Sequence, residues 1–125
     1  MLALAGTNDL REVHRRIADG DDDAALALDV FCHRLRRYVG AFMAVLGRTD
    51  AIAFTGGIGE NDAVVRSRAL AGLAPLGVRL DEERNAVRSG GGRRVSADGS
   101  PVAVLVVPTD EELEMARQTV DLLAR

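Results

Sequence analysis

Two short segments carry the residue types that could do chemistry. Phe54-Thr55-Gly56-Gly57-Ile58-Gly59-Glu60-Asn61 places three glycines in four positions after an apolar run. Pro108-Thr109-Asp110-Glu111-Glu112-Leu113 crowds three acids where a helix pattern begins. Glycine permits positive φ and lets backbone approach a ligand with no Cβ in the way. Strand, glycine turn and helix start is the arrangement that holds nucleotides in open α/β sheets. The same pattern is also a plain strand-to-helix turn, and the local residues leave both readings standing. A dinucleotide fingerprint needs a further glycine where Asp62 stands, which argues against a dehydrogenase. In the second segment, acids near a helix N-terminus compensate its dipole, with Thr109 as cap and Glu112 at the capping-box position. The functional alternative is a carboxylate that binds magnesium, an ion that favours one or two carboxylates plus phosphates over a full protein cage. Asp110 or Glu111 fits that role.

Other chemistries are excluded by composition. All 16 basic residues are arginine. Without lysine there is no Walker A loop, no protein-kinase core and no Schiff-base chemistry. His14, Cys32 and His33 are the soft ligands. Cys32 and His33 are adjacent on a helix, so they point about 100° apart and do not face one metal. They read as a core thiol and a surface histidine. No serine–histidine–carboxylate constellation is suggested. Arg34, Arg36, Arg37, Arg93 and Arg94 read as solvated faces; the alternative is that one of them reaches phosphate, and the spacing does not single out which. A net charge of -3 gives no basic field for nucleic acid, and 3% aromatics is too few for base stacking or a membrane belt. The long apolar helix pattern contains Arg34, Arg36 and Arg37, so it is no membrane span. One cysteine allows no internal disulfide, which fits a cytoplasmic location. Asn8, Asp9 and Arg11 follow the opening apolar residues too soon for a secretory leader.

The elements that must position these segments read as α/β. At 125 residues the chain suits one domain, residues 1–125. Asp9 to Ala18 is a short helix, capped by Asp9 with Glu12 at capping-box spacing. Asp21-Asp22-Asp23 opens a second helix, about Asp22 to Leu46, stopped by Gly47. Ala25, Leu28, Cys32, Leu35, Val39, Phe42 and Leu46 mark its apolar face. From Val39 onward it is apolar nearly all round, which implies burial on more than one side. Ala51 to Thr55 reads as a buried strand. Asp62 to Leu73 is a helix capped by Asn61 or Asp62. Val78 to Leu80 suits a short strand, Asp81 to Val87 a turn or short helix, and Arg93 to Ser96 a strand pairing with Val78–Leu80. The β-branched run Val102 to Val107 is a buried central strand, parallel to the first. A last helix follows, with a stripe of Leu113, Ala116, Val120 and Leu123. Two to four strands make a thin sheet with an edge that wants a cover.

Taken together, the segments resemble the C-terminal third of the acetate kinase (acetokinase) family. The match runs through Gly6-Thr7-Asn8-Asp9-Leu10-Arg11, the Asp50-to-Asn61 block DAIAFTGGIGEN, Leu76-Gly77-Val78-Arg79-Leu80-Asp81, and the Val104-to-Leu113 block VLVVPTDEEL, in family order. Propionate kinases share these motifs. The resemblance implies part of a ribonuclease-H-like domain of the sugar kinase/Hsc70/actin (ASKHA) fold, a mostly parallel sheet flanked by helices. It implies that Asp9, Leu10 and Arg11 contact nucleotide and that Gly57, Ile58, Gly59, Glu60 and Asn61 hold its adenosine side. Glu111 would be the magnesium-linked carboxylate. ATP/ADP and Mg2+ are the implied cofactors, the reaction is ATP + acetate ⇌ ADP + acetyl phosphate, and a cytoplasmic homodimer is the implied assembly. The family's N-terminal region, with the acetate pocket and the catalytic arginines, aspartate and histidine, falls outside the match. Met1 would lie inside a family strand. The expectations are that this chain supplies no catalytic residue and forms no acetyl phosphate alone. The alternatives are a non-catalytic nucleotide-binding or dimerisation module and a propionate kinase portion.

Overall fold

The structure, a computed structural model, describes residues 2–88 and 90–123, and their side chains except those of Leu2, Glu111 and Glu112. Polar caps set the first elements. Asp9 caps α2 (Leu10–Ala18), its carboxylate accepting from the Arg11 N–H at 2.9 Å. The expected box with Glu12 does not form, because Glu12 pairs with Arg15 at 2.7 Å and the Asp9 N–H donates to Thr7 Oγ1. Asp21 caps α3 (Asp22–Leu46) through the Ala24 N–H, and Gly47 ends it at φ 70°. Ahead of α2, Leu2–Ala5 form the short helix α1, where the resemblance implies a strand. Ala5 is buried against α2 and α3, and its carbonyl accepts from Arg16. A strand there would need ladder partners that this helical cluster does not offer.

The sheet holds β1 (Ala51–Phe54), β2 (Arg93–Arg94) and β3 (Ala103–Val106) in the order β1-β3-β2. β1 runs parallel to β3, with Ala51 opposite Ala103 and Phe54 opposite Val106. β2 is antiparallel to β3, so the sheet is mixed. Val78 bridges Val102 and Leu80 bridges Ser96. The Arg93–Ser96 segment thus pairs with β3 first and meets Leu80 only at its end. The Val95 N–H continues the ladder to the Val104 carbonyl at 2.8 Å.

Apolar side chains form two clusters. One joins Ala5, Leu10, Val13, Ala24, Ala27, Leu28, Cys32 and Val65. The other lies on the sheet around Val95, Val102, Val104 and Val106, with Leu70 and Leu73 beside them. Burying each valine contributes roughly 1.5–3 kcal/mol. α3 spans both clusters, reaching the second through Val39 and Met43. Its buried face therefore follows Ala24, Ala27, Leu28, Cys32 and Leu35 onto Met43. Phe42 and Leu46, placed on that face by spacing, are 64% and 66% exposed, and Ala25 is only half-buried. Both sides of this half of α3 are apolar, and the sheet covers one of them. β1 differs from expectation for a related reason. Ala51 and Ala53 are exposed and Ile52 and Phe54 half-buried, because only one face of this edge strand packs on the sheet's apolar cluster.

The glycine segment is not a turn. Gly56–Asn61 is a helix, α4, followed at once by α5 (Ala63–Leu70), which ends three residues short of the expected Leu73. Asp62, rather than Asn61, caps α5 by accepting from the Val65 N–H. A 3-10 turn at Ala74–Leu76 and the short helix α6 (Glu82–Ala86) follow. The final helix, α7 (Glu111–Leu123), is exposed at every described side chain, including the Leu113, Ala116, Val120 and Leu123 stripe. Its cap is Asp110, whose carboxylate accepts from the Leu113 N–H at 3.2 Å, and not Thr109. The side chain of Glu112, expected in the capping box, lies outside the described residues.

Candidate functional site

A cleft of about 960 Å³ opens between the start of α2 and the α4–α5 corner. Asn8 to Arg11 and His14 form one side, Gly57, Ile58, Glu60 and Asn61 the other, and Arg66, Arg88 and Arg93 add to its lining. The structure thus brings together seven of the eight expected nucleotide residues from segments some 45 positions apart in sequence. Arg93, one of five arginines between which spacing did not choose, lines this cleft.

Gly59 is the eighth, and it lies beneath the surface. A Cβ there would stand 3.1 Å from the Phe54 carbonyl carbon, so this glycine lets α4 pack on the end of β1. Gly56 has a different reason: its φ of 68° is left-handed, and it turns the chain from β1 into α4. Gly57 has neither constraint. Its φ is not positive, and a Cβ there would meet no protein atom within 4 Å. At the cleft wall, that leaves backbone open to whatever occupies the space.

Beneath α4 sits a buried cation that spacing alone did not single out. Arg66 is 1% exposed. Its guanidinium donates to Gly59 O at 2.8 Å, Glu60 O at 3.1 Å, and Asn85 Oδ1 and O at 2.7 and 2.8 Å. A full charge thus meets the last carbonyls of α4, where the helix dipole favours a cation. Burial pushes the Arg66 pKa down, and Arg93 pushes it the same way, but a guanidinium stays charged at neutral pH. Asn85 is itself held by the Ala63 carbonyl at 2.9 Å. The signal was there: Arg66 stands three and four residues before buried Ala69 and Leu70, on the inner face of α5.

The rim is ionic. Arg11 pairs with Asp9 at 2.7 Å, and this guanidinium, with the Arg11 N–H, holds the Asp9 carboxyl down at about 2. His14 Nε2 meets Asp62 Oδ2 at 2.7 Å, tying α2 to the cap of α5 across the cleft floor. Cys32 is buried, as expected, and burial pushes its thiol up, while His33 is exposed.

Glu60 joins the two chemical segments. Its Oε1 accepts from the Thr109 N–H at 2.9 Å and from the Thr109 hydroxyl at 3.1 Å. These bonds, the backbone one foremost, draw the Glu60 carboxyl below the usual carboxylate range. Phe54 and Val106 are neighbours in register, so both segments leave the same sheet end. Crevices at the carboxyl ends of parallel strands are where ligands bind in α/β sheets. Glu111 opens α7 two residues beyond Thr109, and its side chain lies outside the described residues.

Comparison with known proteins agrees with this geometry. Residues 1–117 match the Acetokinase family. An acetate kinase of Streptomyces avermitilis is 58% identical over 123 residues, which is 98% of this chain and 30% of that protein. A crystal structure of Porphyromonas gingivalis acetate kinase superposes with a TM-score of 0.87 at 36% identity, covering 98% of this chain and 31% of that one. A propionate kinase from Francisella tularensis gives 0.77 at 38% identity, covering 90% and 28%. The chain therefore spans about 30% of the length of the curated relatives it matches. Its α/β architecture, a small mixed sheet flanked by helices, is that of the acetate kinases. With a family match over nearly its whole length and that fold in place, the chain belongs to the acetokinase family.

Proposed function

We propose that this chain is the C-terminal nucleotide-holding part of a carboxylate phosphotransferase, with ATP + acetate ⇌ ADP + acetyl phosphate as the parent reaction. The observation that carries it is the single cleft shared by Asp9–Arg11 and Gly57–Asn61. In this reading the adenosine lies against the open backbone of Gly57, and the Asp9–Arg11 pair borders it. A carboxylate nucleophile is already ionised, so the reaction asks for positioning and charge neutralisation more than for a general base.

Magnesium, if bound, would neutralise charge on the phosphates. Among the acids at this sheet end, Asp110 caps α7 and Glu60 Oε1 takes two bonds from Thr109. One carboxylate with phosphate oxygens satisfies magnesium, and that carboxylate is assigned to Glu111. Propionate is the alternative acid, since a propionate kinase is among the structural neighbours. The residues that would bind either acid and perform transfer are assigned outside these 125 residues. The chain works in the cytoplasm in this reading; among the described residues no helix is long and apolar enough to cross a membrane.

A second reading is a non-catalytic assembly module. It draws on the exposed strip of Tyr38, Phe42, Val45 and Leu46 on α3, an apolar surface suited to a second copy in a homo-oligomer. Titration of the chain with Mg-ADP by calorimetry separates the two. Saturable heat that Gly57→Val weakens supports the nucleotide reading. Absence of any heat supports the assembly reading.

A further inference from the structure

We infer that Glu60 is a positioning residue that fastens the cleft to the start of α7, so that an occupied cleft sets where Glu111 stands. This rests on the nucleotide reading above. Glu60 is held at both ends. Its carbonyl accepts from Arg66 Nη1, and its carboxylate oxygen accepts twice from Thr109. Arg66 is in turn gripped by Asn85. An unbroken run of hydrogen bonds thus leads from α6 through α5 and α4 to the residue two before Glu111.

Among the described residues, little else fixes α7. Every described side chain along it is exposed. The last sheet bond before it is from the Val107 N–H to the Phe54 carbonyl at 2.9 Å. Beyond that point, among the described residues, the Glu60–Thr109 contact is the long-range bond that orients the segment leading into α7. Glu60 also lines the cleft. A ligand that shifts α4 must therefore shift Thr109 with it, or break two bonds to a carboxylate. Coupling of this kind needs a demonstrated physical connection between the two elements, and here it is a single side chain.

The test follows backbone amide resonances of the whole 125-residue chain during titration with ADP alone. In the unmodified chain, amides of Arg11, Gly57 and Asn61 and those of Thr109 to Leu113 should move together, with one apparent Kd. Each variant is compared at saturation, so changes in affinity do not enter. Thr109→Val keeps the stronger N–H bond and loses the hydroxyl, and should weaken the α7 response without abolishing it. Glu60→Ala, which also removes a cleft-lining carboxylate and needs more ADP to saturate, should abolish it once the Arg11 and Gly57 amides have reached saturation. Glu60→Gln keeps an oxygen acceptor and should restore it, which a merely destabilised fold would not do. An α7 response that survives Glu60→Ala, or is missing while the cleft amides move, overturns the inference. If no cleft amide moves in the unmodified chain, the nucleotide reading itself fails and this inference falls with it.

Discussion

The three glycines of α4 make opposite demands, and substituting each by alanine separates them. At Gly57 nothing lies within 4 Å of a new Cβ and φ is not positive. The folded chain should accept alanine there. Because glycine in a helix is less favourable than alanine, Gly57→Ala should stabilise by about 0.5–1 kcal/mol. At Gly59 the new Cβ would sit 3.1 Å from a backbone carbon of Phe54, where neither β1 nor α4 can yield freely. Overpacking of that kind costs about 1–3 kcal/mol. At Gly56 the cost is conformational, about 1–2 kcal/mol for a left-handed residue at φ 68°. Thermal melts of the three variants should therefore show one neutral or raised midpoint and two lowered ones. ADP affinity should invert the order for Gly57. A methyl group standing in the ligand's path should weaken binding about tenfold, or ~1.4 kcal/mol, and Gly57→Val more so. A Gly57→Ala chain that is as stable as expected yet binds ADP unchanged would refute the claim that this wall is the contact. A marked loss of stability at Gly57 would refute the geometry behind it.

Arg66→Met should cost about 3–5 kcal/mol, because it strands buried carbonyls of α4 and Asn85. Arg68→Met, which removes only an exposed pair with Asp29, should cost under about 1 kcal/mol. Urea midpoints check both, and equal losses would undo the clamp. The Asp9 carboxyl should titrate at about 2 by carbon NMR and return toward 3.8 in Arg11→Ala. Since its folded pKa is depressed, its share of stability is full above the unfolded value and lost as pH falls through about 2. A midpoint near 3.8 in the unmodified chain would contradict the pairing. The 125 residues alone should form no acetyl phosphate in a hydroxamate assay, and purified activity would overturn the assignment of the catalytic groups elsewhere.

What the sequence revealed depended on whether the cause was local. The bounds of α3 were legible because Asp21–Asp23 and Gly47 punctuate them directly. β3 was legible because β-branched residues dominate Val102 to Val107, although the strand is the shorter Ala103–Val106 and buries only every second residue. The cleft residues were named through the resemblance, and composition by itself left the glycine segment undecided. α4 was missed as a helix because each helical glycine is unfavourable by about 1 kcal/mol. Its support comes from elsewhere, through the Arg66 clamp and the contact of Gly59 with Phe54. The Glu60–Thr109 bond spans 49 positions, so no local pattern announces it. It also takes Thr109 from the capping role that spacing assigned to it. The stripes on α3 and α7 were read correctly as apolar, yet Phe42, Leu46 and Val120 stand exposed. Periodicity reports that a face wants burial, not what meets it.

The central claim is that the cleft between Asp9–Arg11 and Gly57–Asn61 holds the adenosine side of a nucleotide. A crystal structure of the chain grown with saturating ADP tests it most directly. The account predicts the nucleotide's base and ribose between those two segments, in contact with the Gly57 backbone. ADP found at another surface, or this cleft left open with ADP in excess, would contradict it.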